Sequence, residues 1–382
     1  MEPRVIDVAG LQALIDVLIA RGFTVLGPTV QNGAVVNGPV RGVADLPAGW
    51  GDDQEAGRYR LRHREDGALF GYASGAQSAK PVFFPTEEVL WRGRRTAGGF
   101  TVETDGPTPE DPRYALLGVR SCDLTAVGIH DTVLLDRGHQ DVGYAARRDG
   151  AFVVAVTCSD PGGTCFCVSM GTGPRPEPGR GAPYDLALTE LLDGGRHRFL
   201  VEVGTEEGAA VLRETGGDEA TGTDLGAAEQ VAESAAGRMG RRLDPVGLKE
   251  LLYARAGSPV WEDVATRCLS CANCTAVCPT CFCTSVEDVT DLAGDVAGRD
   301  RVWDSCFNAD FSYIHGGTVR GSPKSRYRQW MTHKLGSWID QFGTSGCVGC
   351  GRCITWCPAA IDITAEAANL RAAAAGPEEA RA

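Results

Sequence analysis

The sequence predicts an α/β (α+β) domain over residues 1–225, followed by a mainly helical domain over residues 226–382. In the first part, short apolar runs bounded by Gly, Pro and Asp turns alternate with helical patterns. Residues 204–230, rich in Gly, Thr and acidic side chains, have the composition of a helix end and an interdomain linker. The two runs with repeated Cys-x2-Cys spacing lie beyond it. A chain of 382 residues, 43% of them hydrophobic, is long enough to build two cores.

The elements of the first domain follow from the spacing of its apolar residues. Residues 8–18 have helical spacing, and four runs predict strands: FTVLGPTV (23–30), GRYRLRHRE (57–65), ALFGYAS (68–74) and PVFFP (81–85). The apolar runs 115–119 and 151–157 flank the helical pattern AVGIHDTVLL, which predicts a buried strand, helix, strand core. FLVEV (199–203) is a further strand-like run, and the tail 365–382 predicts a fraying helix.

Composition and charge exclude several classes of function. A formal charge of −13 argues against a nucleic-acid binder, because phosphate binding needs an excess of Lys and Arg on one face. The N-terminal apolar residues are interrupted by Asp16, so we expect no membrane span, no export signal and a cytoplasmic protein. No dinucleotide loop, P-loop or Ser/His/Asp arrangement is recognisable, and no catalytic residue is assigned. Fifteen cysteines in such a chain indicate ligands or redox groups instead of disulfides.

The stretch RCLSCANCTAVCPTCFC (267–283) contains a ferredoxin motif. Its spacing, Cys-x2-Cys-x2-Cys-x3-Cys-Pro, returns in GCVGCGRCITWCP near the C-terminus. Three thiolates on one tight loop can hold three irons of a [4Fe-4S] cube, whereas the fourth cysteine lies too far round and binds the cluster of the other motif. The predicted ligands are Cys268, Cys271, Cys274 and Cys357 for one cluster, and Cys347, Cys350, Cys353 and Cys278 for the other.

Zinc is the alternative occupant, since paired Cys-x2-Cys units are common in zinc ribbons. Zinc ribbons use two separated Cys-x2-Cys pairs. Here two consecutive Cys-x2-Cys units share a cysteine and are followed by Cys-Pro, and this pattern occurs in both motifs. The spacing therefore favours two [4Fe-4S] clusters. Crossed ligation would join distant segments, so the clusters should help to fold this domain.

Four upstream cysteines form a second candidate site. Cys122 follows one predicted strand, and Cys158, Cys165 and Cys167 follow the next. Because loops at the ends of neighbouring parallel strands converge, these thiols could bind a third [4Fe-4S] cluster. The alternative is that Cys122 and Cys158 are small core residues.

Cys281, Cys283 and Cys306 are three thiols without an obvious fourth ligand. A nearby Asp or His could complete a metal site there, and buried packing is the alternative. The basic segment 320–334 contains no acidic residue; it could stabilise reduced clusters, attract an acidic partner or form a solvated face. His315 and His333 are candidates for hydrogen-bond donors near the clusters, or for structural histidines.

The ordered set of motifs resembles a known family. GVRSCDLTAV, VTCSDPGGTCFC, the two ferredoxin motifs, and HGGTVRG followed by SRYRQWMTHKL resemble the iron–sulfur β subunit of cytoplasmic NAD(P)-linked [NiFe] hydrogenases of the sulfhydrogenase type. The resemblance extends from GRYRLRHREDGALFGYA through residue 365, and the electron-transfer subunit of anaerobic sulfite reductase is similar, less closely. HGGTVRG departs from the family's Ala-Gly-Gly-His-Asn, so the resemblance implies no direct role for His315.

The resemblance implies a heterotetramer. Its other members would be a [NiFe] large subunit, an iron–sulfur small subunit and a flavin- and NAD(P)-binding diaphorase subunit, with this chain as electron carrier. The chain lacks the paired Cys-x2-Cys motifs that hold nickel and iron in a large subunit, so catalysis is expected in the partners. Two alternatives stay open: the electron-transfer subunit of an anaerobic sulfite reductase complex, and a stand-alone iron–sulfur protein that senses redox state.

Overall fold

The computed structural model describes residues 2–103, 112–136 and 138–379. Its strands are β1 (Arg4–Asp7), β2 (Phe23–Gln31), β3 (Ala34–Pro39), β4 (Trp50–Glu55), β5 (Arg58–His63), β6 (Glu87–Thr96), β7 (Gly99–Glu103), β8 (Arg113–Val119), β9 (Phe152–Val156), β10 (Leu186–Asp193), β11 (Arg196–Val203), β12 (Asp218–Glu219), β13 (Thr284–Thr290), β14 (Val296–Trp303), β15 (Tyr313–Ile314) and β16 (Gly317–Thr318).

The helices connect and cover these strands. They are α1 (Val8–Ala20), α2 (Lys80–Phe83), α3 (Ser121–Leu134), α4 (Val142–Asp149), α5 (Glu206–Thr215), α6 (Gly222–Gly237), α7 (Leu248–Ala254), α8 (Val260–Arg267), α9 (Asn273–Ala276), α10 (Pro323–Thr332), α11 (Trp338–Phe342), α12 (Arg352–Thr355) and α13 (Ile363–Glu379). Short 3₁₀ turns occupy Val43–Asp45, Cys167–Met170 and Asp310–Ser312, and a π turn occupies His333–Ser337. The predicted helical tail is confirmed as far as Glu379, and residues 380–382 lie outside the described residues.

The main sheet has eight strands in the order β12-β1-β11-β10-β9-β8-β2-β3. Its centre is parallel, because β2 pairs with β8, β8 with β9 and β9 with β10 in that sense. Helices α1 and α5 pack on one face, where Leu14 and Val211 join the core beside Val154. On the other face, Leu124 of α3 packs with Val153. The predicted strand, helix, strand core is confirmed as β8, α3 and β9.

The run ALFGYAS does not form the predicted strand. The Glu190 carboxylate accepts hydrogen bonds from the backbone N–H groups of Leu69 and Phe70, at 2.6 and 2.9 Å. The Arg120 guanidinium donates to the carbonyls of Phe70 and Tyr72, both at 2.8 Å. Buried charged side chains thus satisfy this backbone in place of a neighbouring strand.

The run PVFFP is also not a strand. Residues 80–83 form the short helix α2, with Pro81 in its first turn. Proline fits that position because the first N–H groups of a helix have no partner within the helix. The prediction of a strand was therefore wrong for a run whose proline lies in the first turn of a helix.

The predicted linker 204–230 is mostly helical. Thr205 accepts a hydrogen bond from Gly208 at the start of α5, and Thr221 forms a capping box with Asp224 at the start of α6. These caps explain the Thr-rich and acidic composition. Residue 225 lies inside α6.

A second sheet combines strands from both predicted domains, in the order β13-β14-β6-β7. The C-terminal part is therefore helical around its core, but its β13–β14 hairpin belongs to this second sheet. That core packs Trp261, Trp330 and Leu252 with half-buried cysteines of both ferredoxin motifs.

Among the helices of the described residues, each is too short or too polar to cross a membrane.

Candidate metal centres

The loop of the first ferredoxin motif begins where α8 ends. The N–H of Cys268 donates to the carbonyl of Val264 at 2.9 Å, which closes the last turn of the helix. Ser270 and Ala272 then take left-handed backbone angles, with φ of 52° and 65°. Non-glycine residues seldom adopt this conformation, and such strain is typical of functional loops. The two left-handed residues flank Cys271 and coil the loop tightly.

The second motif repeats this conformation with glycines. Gly349 and Gly351 flank Cys350, with φ of 69° and 75°. A Cβ on Gly351 would lie 2.5 Å from the carbonyl oxygen of Thr164, so only glycine fits there. The shared geometry of the two loops agrees with their shared spacing of cysteines.

Three thiols of the first motif meet two thiols of the second in a single recess. The recess encloses about 460 Å³, open solvent included, and its cysteines are Cys268, Cys271, Cys274, Cys353 and Cys357. Phe307, Tyr327 and Trp330 provide apolar walls. Burial, and then the thiols of Cys268 and Cys357, raise the pKa of Cys274 well above its usual value. The structure thus brings the first predicted ligand set together.

Cys278 lies beside the thiols of the second motif. Burial raises the pKa of Cys347 to about 12, and the thiols of Cys350 and Cys278 add to that shift. Burial also raises the pKa of Cys353, and the thiols of Cys347, Cys350 and Cys278 add to that shift. Cys278 itself has a pKa well below its usual value, because Cys281 donates a hydrogen bond to it and the Lys334 ammonium lies close. This proximity supports the second predicted ligand set.

All four upstream cysteines line one cavity. Its thiols are Cys122, Cys158, Cys165, Cys167 and, from the second ferredoxin motif, Cys350; it encloses about 320 Å³, open solvent included. The parallel pairing of β8 with β9 causes the convergence, as predicted. Burial raises the pKa of Cys167 to about 12 and also raises that of Cys122 and Cys158. The site adjoins the second motif, since the Cys165 thiol donates to the Cys350 carbonyl at 3.7 Å.

Arg120 is a component of this four-thiol cavity that sequence reasoning missed. It is buried, lines the cavity and donates to the carbonyl of Thr157 at 3.1 Å. Its Nε has no hydrogen-bond partner in the described part of the chain. A buried cation with a spare donor suits a group of thiolates. Its position directly after a strand, in GVRSCD, was the available signal.

Lys334 corrects the interpretation of the basic segment as a solvated face. It is 3% exposed, and its Nζ donates to Thr280 Oγ1 at 2.9 Å and to the Gly346 carbonyl at 3.4 Å. It also hydrogen-bonds Cys278, whose nearness helps to raise the pKa of Lys334 despite burial. Arg326 of the same segment is buried too. The position of Lys334 agrees with the alternative, stabilisation of reduced anionic clusters.

The remaining candidates separate into two groups. Cys281, Cys283 and Cys306 line a common cavity together with His333. Burial lowers the pKa of His333 to about 4. His315, in contrast, is exposed and lies in the β15–β16 turn.

None of the fifteen cysteines, all within the described residues, forms a disulfide. In the same residues, no three His, Cys, Asp or Glu side chains are arranged to hold a single metal ion. Thiols that bind a cube lie further apart than those that bind one ion. The donor set, with five thiols round an apolar recess, fits a [4Fe-4S] cluster, and Lys334 beside Cys278 suits a second one.

Comparison with known proteins agrees with this geometry. Residues 267–361 match a family described as a 4Fe-4S dicluster domain, and two [4Fe-4S] clusters are the cofactors of such a domain. The chain is 36% identical over 263 residues to subunit beta of sulfhydrogenase 2 from Pyrococcus furiosus, an alignment that spans 68% of this chain and 73% of that protein. No solved structure matches the chain.

Proposed function

The chain belongs to the family of sulfhydrogenase β subunits, and we propose that it relays electrons within a multisubunit NAD(P)-linked [NiFe] hydrogenase. The proposed partners are a flavin- and NAD(P)-binding diaphorase subunit, a [NiFe] large subunit and an iron–sulfur small subunit. The proposed compartment is the cytoplasm, because unpaired thiols in such number suit a reducing environment.

The observation that carries this proposal is the contiguity of the thiol sites. The recess of Cys274 also contains Cys353 of the second motif. Cys350 of that motif lies in turn in the four-thiol cavity. The sites therefore form a continuous series from exposed Cys271 to the loop that follows the C-terminal end of β9. Such a series suits electron transfer, whereas a single isolated site would suit a sensor.

We assign the ligands as the crossed sets, Cys268, Cys271, Cys274 and Cys357 for one cluster and Cys347, Cys350, Cys353 and Cys278 for the other. Bound there, the clusters supply one-electron carriers. The protein contributes the thiolates, an apolar wall that excludes water, and the ammonium of Lys334 beside Cys278. Hydrogen bonds and burial of this kind set cluster potentials.

We further propose that Cys122, Cys158, Cys165 and Cys167 bind a third [4Fe-4S] cluster. The four thiols share a cavity, and the unpartnered Nε of Arg120 in the described part of the chain is a donor suited to an anionic group. Packing alone would leave that donor unsatisfied, at a cost of about 1–3 kcal/mol. The Pro161 turn forms part of the same wall.

The test is purification of the tagged full chain with its native partners, without oxygen. We expect copurified [NiFe] and flavin subunits and hydrogen-dependent reduction of NAD(P)⁺. Cys271→Ser should abolish that activity while the complex stays assembled, and Ser234→Ala, an exposed position on α6, is the control. Copurification with a sirohaem protein, or recovery of the chain alone, would contradict the proposal.

A further inference from the structure

A cavity beside the second ferredoxin motif is lined by three thiols that none of the assigned ligand sets uses. Cys281, Cys283 and Cys306 line this cavity, here named the CFC cavity, which encloses about 910 Å³, open solvent included. Thiols are the soft ligands that iron–sulfur clusters use. Phe282, between the first two, also lines it.

The fold brings these thiols together from two segments. Cys281 and Cys283 follow directly after the first motif, and the β13–β14 hairpin then leads the chain away and back. After the hairpin, the N–H of Asp304 donates to the carbonyl of Cys283 at 2.9 Å. This return places Cys306 so that its thiol hydrogen-bonds Cys283.

Unpartnered donors on the same walls indicate a missing acceptor. Trp330 and Trp338 are 3% and 1% exposed and line the CFC cavity. Neither indole N–H has a hydrogen-bond partner in the described part of the chain, and the same holds for Nε of Arg320, which also lines the cavity. Buried donors without acceptors are unfavourable, so three on one cavity imply an occupant that accepts hydrogen bonds.

The charges around the CFC cavity indicate that the occupant is anionic. Lys334 and Arg320 line it, and no carboxylate does so among the described residues. Lys80, also buried, donates from Nζ to the Cys281 carbonyl at 3.2 Å. Buried cations are retained when an anion or polar acceptor lies close to them.

We propose that Cys281, Cys283 and Cys306 bind a cubane iron–sulfur cluster, with His333 as the fourth ligand. His333 is the non-thiol residue of the lining with a side chain suited to iron. Each thiol releases its proton when it binds iron, and the indole and guanidinium donors then hydrogen-bond cluster sulfur. Lys334 lies between this site and Cys278 and lowers the repulsion between neighbouring anionic groups. The site goes beyond the proposed relay, because none of its thiols belongs to the three assigned ligand sets.

The test is a count of iron and acid-labile sulfide in the anaerobically purified full chain. Relative to the unsubstituted chain, Cys283→Ser/Cys306→Ser should lose about four of each, while the EPR signals of the reduced ferredoxin pair persist. Cys165→Ser/Cys167→Ser removes thiols of the four-thiol cavity and should leave this site loaded. Unchanged iron in Cys283→Ser/Cys306→Ser, or zinc in place of iron, overturns the proposal.

A second variant decides the matter if the doubly substituted chain does not fold. His333→Ala should convert the site to a three-iron form, seen as a new EPR signal of the oxidised protein. His315→Ala, at an exposed histidine, is the matched control and should show no such signal. An unchanged spectrum of His333→Ala overturns the assignment. These readouts do not depend on hydrogenase activity, so failure of the proposed function would be seen separately.

Discussion

The thiol of Cys278 lies with those of the second motif although it belongs to the first. We therefore expect Cys278→Ser and Cys347→Ser to damage one cluster, and Cys268→Ser to damage the other. The reason is that the fourth cysteine of each run lies too far round to close its own cube. EPR of the reduced variants distinguishes the two signals. Loss of the same signal in Cys278→Ser and Cys268→Ser would show that ligation is not crossed.

His130 links stability to pH. Burial lowers its pKa to about 4, whereas an unfolded histidine has a pKa of about 6.5. Between these values the unfolded chain binds the extra proton, so stability present above pH 6.5 is lost as the pH falls toward 4. The loss from this residue should approach about 3 kcal/mol.

Urea unfolding without oxygen, at a series of pH values, measures this effect. His130→Gln should flatten the dependence between pH 6.5 and 4, and His139→Gln, at an exposed position, should leave it unchanged. An equally steep dependence in His130→Gln would mean that other groups cause it.

Individual residues differ in how well the sequence predicts them. The convergence of Cys122 and Cys158 was predictable, because parallel strands align the loops that follow them. Arg120 and Lys334 were not, since charged residues are mostly exposed and only the fold shows which thiols neutralise them. Spacing predicts ligands well, but it does not predict the buried cations around them.

At the scale of elements, a buried ion pair joins α12 to α3. Arg352 donates two hydrogen bonds to the Asp123 carboxylate, at 2.6 and 2.8 Å, and the side chains are 2% and 8% exposed. Asp123→Asn would leave the guanidinium charge buried and unpaired. We expect it to lower the free energy of unfolding by about 3–5 kcal/mol.

An exposed pair on the β13–β14 hairpin serves as the control. Asp288→Asn removes the partner of Arg299, and both side chains there are largely exposed. That change should cost less than about 1 kcal/mol. Equal effects of the two substitutions on thermal unfolding would contradict a structural role for the Arg352–Asp123 pair.

Element prediction failed where side chains replace backbone pairing. ALFGYAS has a strand-like composition, yet Glu190 and Arg120 satisfy its backbone from distant positions in the sequence. The strands β8 and β9, in contrast, were predictable because they are apolar and buried on both faces. The spacing of apolar residues indicates which side chains are buried. Hydrogen bonds from residues that are distant in sequence leave no pattern in the segment itself.

At the scale of the molecule, the clusters should stabilise the cysteine loops more than the main sheet. After iron is removed by a chelator, we expect faster hydrogen exchange over residues 268–283 and 347–360, because their loops close around metal. β8 and β9 should stay protected, since the core of the main sheet contains none of the predicted cluster ligands. Untreated protein under the same conditions is the control. Loss of protection in both regions would mean that the clusters support the entire fold.

The organisation of the whole chain was predicted only in outline. The α/β part and the dicluster region were predictable from apolar runs and cysteine spacing. The second sheet was not, because β6 and β14 are far apart in sequence and each has polar residues on exposed positions. Its strands cross the predicted boundary between the two parts.

That shared sheet has a consequence for how the chain is made. β6 pairs with β7 on one side and with β14 on the other. The ribosome delivers β14 long after β6, so the nascent chain keeps an open strand edge until the first cysteine motif has been synthesised. Unpaired strand edges promote aggregation of incompletely folded chains. β14 can close this edge before Cys347 and Cys357 have been synthesised, so the edge is protected by folding before either crossed ligand set is complete.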